Sequence, residues 1–204
     1  MTGAPARAWR RASAVPWLCT CAALMLASLL AWTAERTLLD WQPARAWAEP
    51  WRWCSAALVH LSALHLWLNL LAAALVAAYG WAARVNAAVT WAWVASMPFT
   101  HLALLAQPQL LHYGGLSGVL HGGVAAVSVW LAVRGNGGER TVGWLMLIGQ
   151  AVKLLLERSW DAALQTPPEL DVAVAPLAHA SGSLAGALLT LLALRLTRTA
   201  QRRR

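Results

Sequence analysis

Ser117 is the residue in this chain whose surroundings best suit nucleophilic chemistry. It lies in the run Gly115-Leu116-Ser117-Gly118, at the start of a long apolar segment. A serine hydroxyl attacks only when a base takes its proton, and histidine is the usual base at neutral pH. His179 stands near the start of another apolar segment and is therefore the candidate base.

A third apolar segment carries polar side chains that suit the second requirement of acyl transfer, donors for an oxyanion. His65 and Asn69 are four residues apart and share one face of a helix. The backbone N–H of Ser117, at a helix N-terminus, supplies a third donor. His60 precedes His65 by five residues, about 140° around the helix, so we assign it a structural hydrogen bond to the neighbouring connection.

The spacing after His179 predicts how its helix approaches that of Ser117. Gly182 and Gly186 follow on the same face, and such small residues let helices pack closely in a membrane. No Asp or Glu falls within a predicted helix near the cluster. The residues therefore predict a dyad of Ser117 and His179, with the acidic third member missing.

The composition is that of a polytopic membrane protein. Of 204 residues, 59% are hydrophobic and only 12% are charged, against about 25% charged residues in a soluble domain. The net charge of +8 is spread between and beyond the apolar segments, which argues against nucleic-acid binding and for a lipid bilayer as the partner. The three cysteines form no framework, and we expect neither a metal site nor a cofactor.

Six apolar segments predict an all-α membrane protein, a bundle of six transmembrane helices. We place them at about residues 16–34, 55–79, 85–105, 116–133, 141–156 and 177–196. Residues 1–15 form a cytoplasmic lead, residues 16–196 the membrane domain, and residues 197–204 a basic cytoplasmic tail. The first segment also resembles a signal peptide, but it is long and has Trp32 near the possible cleavage site, so we expect a retained helix.

The charge distribution orients this bundle. Six helices place both termini on one side, and the loops of that side hold 11 of the 16 basic residues but one of the eight acids. Basic loops stay in the cytoplasm, so both termini are predicted there. Ser117 and His179 then lie at the same, outer end of their helices.

Four motifs, in this order, resemble the rhomboid family of intramembrane serine proteases. The resemblance covers roughly residues 51–189, and the matching residues are Trp51-Arg52, then His60, His65 and Asn69, then Gly115, Ser117 and Gly118, and finally His179 with Gly182 and Gly186. It implies a six-helix rhomboid-like bundle. It also implies that Ser117 is the nucleophile, that His179 is the base, and that His65, Asn69 and the Ser117 amide bind the oxyanion.

One position departs from the common rhomboid pattern. Rhomboids often carry a tyrosine four residues after the serine, packed on the catalytic histidine, and here that residue is His121. The run from Gly115 to Gly122 resembles the rhombosortase branch, a bacterial group. This resemblance implies that His121 stacks on His179, either to alter its proton affinity or simply as packing.

The expected function is an intramembrane serine endopeptidase of the bacterial inner membrane. The branch resemblance implies substrates that are exported transmembrane proteins with a C-terminal sorting tail of Gly-Gly, an apolar helix and a basic end. Glycines make the unwinding of a scissile helix inexpensive. Two alternatives stay open: a non-catalytic rhomboid-like chaperone or sorting scaffold, and a transporter that uses the histidines.

Overall fold

The computed structural model describes residues 14–168 and 170–202. Most of residues 1–15 and the end of the basic tail, for which we predicted cytoplasmic segments, lie outside these ranges. The described residues form helices joined by turns, with isolated bridges in place of β-strands. The eight α-helices in this part of the chain are α1 (Val15–Ala31), α2 (Arg36–Leu39), α3 (Arg52–Ser55), α4 (Ala63–Ala82), α5 (Ala87–Leu102), α6 (Ser117–Arg134), α7 (Gly138–Leu156) and α8 (Pro176–Arg202).

Four of these helices are long and apolar enough to cross a membrane: α4, α5 with the turn that follows it, α6 and α8. The other two predicted spans correspond to α1 and α7. Helix α1 is apolar but has 17 residues. Helix α7 has 19 residues, three of which are charged: Glu139, Arg140 and Lys153. The chain is therefore an all-helical membrane protein in which four spans meet the criterion of length and hydropathy.

The predicted start of the second long helix was wrong. We expected it from about residue 55, but α4 begins at Ala63, and a 3₁₀ turn over Ala56–Leu58 precedes it. Ser62 is the N-cap, because its hydroxyl accepts a hydrogen bond from the His65 amide at 3.0 Å. His60 therefore lies in the connection before the helix and not one face away from His65 on it.

The other helix ends differ less from the prediction. Helix α5 continues as a 3₁₀ turn over Ala103–Ala106, as far as the expected third span. Helix α7 starts at Gly138 and ends at Leu156, as expected for its C-terminus. Helix α8 continues past residue 196 to Arg202 and thus includes part of the predicted tail.

Helix α6 forms the centre of the bundle, with 72% of its apolar window buried, against 39–50% in the other three candidate spans. It packs on α8 through glycines, as the spacing predicted. A Cβ on Gly182 would lie 2.0 Å from the Gly118 carbonyl oxygen, and one on Gly186 would lie 2.2 Å from that of Gly122. The backbones are in direct contact, so the two helices are held at a fixed distance.

The connection between α1 and α4 is built around Arg52, which is buried. Its guanidinium pairs with Asp40 at 3.1 Å and with Glu49 at 2.6 Å, and it also donates to the Thr37 carbonyl. Trp41 from the same connection exchanges two backbone hydrogen bonds with Tyr113, of 2.7 and 3.1 Å. These contacts fix the segment that leads into α6.

Candidate active site

Ser117 and His179 meet at the same end of α6 and α8. Ser117 is the first residue of α6, and His179 lies in the first turn of α8, which begins at Pro176. Proline suits this position because its missing N–H would have no partner in a first turn. The Ser117 Oγ lies 2.8 Å from the His179 Nε2, a hydrogen-bond distance.

His65 and Asn69 line the same cavity, which has a volume of about 250 Å³ and also contains Ser117 and His179. The His65 Nδ1 accepts a hydrogen bond from the Leu61 amide at 3.4 Å, so the ring proton is on Nε2. Asn69 uses one N–H of its side chain on the His65 carbonyl at 2.9 Å. Its second N–H and the His65 Nε2 are the donors available to a ligand in the cavity.

Gly115 allows the His65 ring to approach the chain just before Ser117. Its φ of +149° is strained for any residue with a side chain. A Cβ at this position would also lie 3.0 Å from the His65 Nε2. The Gly115 amide donates to the Ala56 carbonyl at 3.0 Å, which holds this loop in place.

His121 lies flat against the ring of His179. The two centroids are 4.3 Å apart with an interplanar angle of 14°. The His121 Nδ1 donates to the Ser117 carbonyl at 2.7 Å, so the ring is held by the turn of α6 that starts at the serine. This contact limits the rotation of the His179 ring.

Glu157 is the site residue that the sequence interpretation missed. Its two carboxylate oxygens lie 3.0 and 3.2 Å from the His179 Nδ1, on the opposite side of the ring from Ser117. The sequence interpretation looked for an acid within the predicted helices and concluded that the third member was missing; Glu157 lies just outside, as the C-cap of α7. Three helix ends meet here, and the topological argument that paired α6 with α8 also places the end of α7 at this level.

The Glu157 side chain is held as a carboxylate. Burial alone raises its pKa, but the hydrogen bond and charge of His179, together with those of Lys153, outweigh that effect and lower the pKa to about 2. Lys153, one turn earlier on α7, forms an ion pair with the same carboxylate. Glu157 is therefore ionised over the whole physiological range.

Tyr113 is a second neighbour of the site that the sequence interpretation did not name. It is buried, and its hydroxyl interacts with Ser117. Burial raises the pKa of this phenol, and the hydrogen bond with Ser117 offsets part of that shift. The Trp41–Tyr113 bridge thus joins the connection between α1 and α4 to the serine.

Three predicted supporting residues lie away from the cavity walls. Trp51 is 53% exposed and donates its indole N–H to the Leu38 carbonyl at 3.2 Å, and Arg52 organises the connection described above. His60 is buried; its Nδ1 donates to the Leu58 carbonyl at 3.0 Å. Burial and the neighbouring His65 lower the pKa of His60 to about 4, although the bond to Leu58 opposes them.

Gly118, next to the serine, is in contact with α8 and α5. A Cβ here would lie 2.7 Å from the Thr100 side chain and 2.8 Å from the Ala178 carbonyl. Within the described residues, no group of three His, Cys, Asp or Glu side chains is arranged to hold a metal ion. The cluster therefore offers a nucleophile, a base and hydrogen-bond donors.

A second cavity, of about 360 Å³, opens beside the first between α4, α6 and α7. Its walls are mostly apolar, and it shares Ala72, His121 and Lys153 with the cavity around Ser117. An apolar groove between α4, α6 and α7 thus adjoins the polar cluster.

Comparison with known proteins places this geometry in a family. A search of curated proteins found no match to the chain. The sequence pattern of the family described as Rhomboid domain matches residues 48–196, which include every residue of the cluster. Proteins of this family are generally intramembrane serine proteases. The chain belongs to the rhomboid family.

Proposed function

We propose that this protein is an intramembrane serine endopeptidase that uses Ser117 as nucleophile and His179 as base. The observation that carries the proposal is the 2.8 Å contact between the Ser117 Oγ and the His179 Nε2, at the bottom of one cavity. Adjacent helix starts on α6 and α8 fix both side chains, so the pair needs no rearrangement before the chemical step.

The proposed reaction follows from the positions of these groups. The Ser117 Oγ attacks the scissile carbonyl carbon while its proton passes to the His179 Nε2. The oxyanion that forms is bound by the Ser117 amide, the His65 Nε2–H and the free N–H of Asn69. His179 then gives its proton to the leaving amine, and water cleaves the acyl-enzyme in a second round of the same steps.

The apolar groove between α4 and α7 supports a substrate that arrives from the membrane. Apolar side chains such as Leu75, Val124 and Met146 line it, and it meets the catalytic cavity at His121. A transmembrane helix that packs there would present its outer end to Ser117. A Gly-Gly sequence at that end would unwind at low cost.

We propose as substrates exported bacterial proteins that carry a C-terminal sorting tail. The support is the resemblance of the run around Ser117, with His121 in place of tyrosine, to the rhombosortase branch. The proposal includes six spanning helices, with α1 and α7 as the additional two, both termini in the cytoplasm of the inner membrane, and cleavage near its outer face. Catalysis on this route uses side chains and water without a cofactor.

The test is cleavage of an exported reporter with a Gly-Gly, apolar-helix and arginine tail. We expect the wild-type chain to remove the tail and Ser117→Ala and His179→Ala to leave it intact, with losses of at least ~10³-fold. Ser128→Ala, deeper in the same helix, is the matched control. If Ser117→Ala removes the tail normally, the assignment is wrong. If the wild-type chain does not cleave the reporter, but it and all the variants bind it, the protein is a non-catalytic scaffold.

A further inference from the structure

The carboxylate of Glu157 occupies the place that an orienting acid takes behind a catalytic histidine. The His179 ring stands between two partners, with Ser117 2.8 Å from Nε2 and the Glu157 oxygens 3.0 and 3.2 Å from Nδ1. We propose that Glu157 is a positioning residue that completes a Ser117–His179–Glu157 triad. This inference rests on the proposed protease function and goes beyond the dyad that the sequence predicts.

The tautomer of His179 explains what the carboxylate does. To accept the proton of Ser117, the Nε2 must carry none in the resting state, so the ring proton must be on Nδ1. That N–H points at Glu157, which can only accept a hydrogen bond when ionised. The carboxylate thus selects the reactive tautomer, and it stabilises the imidazolium that forms when the proton is transferred.

A second contact shows that α7 is held in register with the helix of His179. The Gln150 side-chain N–H group donates to the Ser183 hydroxyl at 2.8 Å and to the His121 carbonyl at 2.8 Å. Ser183 in turn donates to the His179 carbonyl at 2.7 Å. Two turns before Glu157 on α7, and one turn after His179 on α8, the two helices are therefore bonded to each other, so the carboxylate is not placed by a free loop.

Lys153 shares the carboxylate with His179. It pairs with one oxygen of Glu157, and it lines the catalytic cavity. A cation at this point draws negative charge away from the imidazole. We therefore expect Lys153 and Glu157 to act on His179 in opposite directions, and this opposition separates a charge effect from a packing effect.

The experiment measures how fast a fluorophosphonate labels Ser117 in the purified full chain in phospholipid vesicles, as a function of pH. Reporter cleavage gives kcat and KM in parallel. We expect Glu157→Gln to slow labelling and lower kcat by roughly 10²-fold, with KM little changed. The acid limb of the pH profile, where the labelling rate falls as His179 becomes protonated, should move to lower pH in Glu157→Gln, because the imidazolium loses its carboxylate. Glu157→Asp, which keeps the charge, should retain the wild-type limb.

Two further variants make the result specific. Glu139→Gln is the same substitution at the opposite end of α7, and its rate and pH profile should match the wild type. Lys153→Gln should move the acid limb to higher pH. The charged or titratable groups around His179 are His65 on α4, His121 on α6, and Lys153 and Glu157 at the end of α7. Asp171, in the loop that follows, acts on His65.

The outcomes separate this inference from the function on which it rests. If fluorophosphonate labels wild type and Ser117→Ala alike, the protease assignment fails. If it labels only wild type, but Glu157→Gln reacts at the wild-type rate with an unmoved acid limb, the protease stands and the triad is overturned. Recovery of the wild-type rate in the double variant Lys153→Gln/Glu157→Gln would also overturn it, because the loss would then come from an unpaired lysine.

Discussion

The two sides of α6 are packed in different ways. Towards α8, Gly182 and Gly186 bring the backbones into contact, so that an added Cβ would lie 2.0–2.2 Å from a carbonyl oxygen. Towards α7, the backbones come close at Gly143, where a Cβ would lie 2.5 Å from the Ala132 amide nitrogen. Nearer to Ser117, a groove of about 360 Å³ separates α7 from α4. A Cβ on Gly149, which faces this groove, would meet open space.

This difference assigns separate tasks to the two sides. The α6–α8 side holds the proposed reacting pair, Ser117 and His179, where a shift of 1 Å would cost about 10²-fold in rate. The α7 side holds Glu157 and the groove, where a substrate helix needs room. The close backbone contact and the groove thus meet at one histidine ring.

The largest expected effect comes from adding a methyl group to the tight side. Gly182→Ala forces its Cβ against the Gly118 carbonyl, which is backbone and cannot rotate away. We expect a loss of roughly 1–3 kcal/mol of stability from overpacking and at least a ~10²-fold fall in fluorophosphonate labelling as Ser117 and His179 separate. Thermal unfolding in detergent and labelling rates measure the two quantities.

Gly149→Ala is the matched control for that change. It adds the same methyl group to a helix, but into open space, so the helix propensity of alanine should dominate, a gain of about 0.5–1 kcal/mol at most. Equal damage from Gly182→Ala and Gly149→Ala would show that the two sides do not differ as described.

Filling the groove should separate substrate binding from chemistry. Gly149→Trp places an indole between α4 and α7, beside Leu75 and Met146. A substrate helix enters the groove from lipid, so it would lose van der Waals packing and not burial from water. A loss of about 1.4 kcal/mol corresponds to a rise in KM of roughly 10-fold. The small fluorophosphonate does not need the groove, so its labelling rate should stay at the wild-type value.

Gly138→Trp, at the far end of the same helix and also in open space, should change neither quantity. A fall in fluorophosphonate labelling with Gly149→Trp would contradict the separation of groove and catalytic cavity.

The contact between Ser117 and His179 was predictable because its signals are local. Ser117, His179 and the glycines of α8 each stand at a fixed spacing in a long apolar segment, and helical periodicity converts spacing into a shared face. The close approach of α6 and α8 follows from glycine alone. For α6 and α8, residue spacing is therefore enough to predict which side chains share a face and how closely the helices pack.

Glu157 and His60 were not predictable in the same way. The helix order already places the end of α7 at the level where α8 begins, but which residue of that end reaches His179 depends on how the three helices pack. His60 lies before α4 because Ser62 caps the start of that helix. The apolar pattern continues through the preceding 3₁₀ turn, so hydropathy alone does not show where the helix begins. Helix ends are determined by capping and tertiary contact more than by hydropathy.

The smallest expected effect concerns the loop that continues from α7 over the cavity. Pro167, Leu170 and Val174 of this loop line the catalytic cavity. Its Asp171 accepts a hydrogen bond of 2.7 Å from the Ser62 hydroxyl, which also caps α4. One serine thus connects the loop to the helix that carries His65.

Asp171→Ala removes the loop contact and leaves the cap, whereas Ser62→Ala removes both. We expect Ser62→Ala to cost about 1 kcal/mol of stability, the usual value of an N-cap, and Asp171→Ala no more than about 0.5 kcal/mol, because the bond is exposed. Amide hydrogen exchange should rise in the loop for both variants, but at the start of α4 only for Ser62→Ala. Increased exchange around His65 in Asp171→Ala would mean instead that the loop itself holds the start of α4.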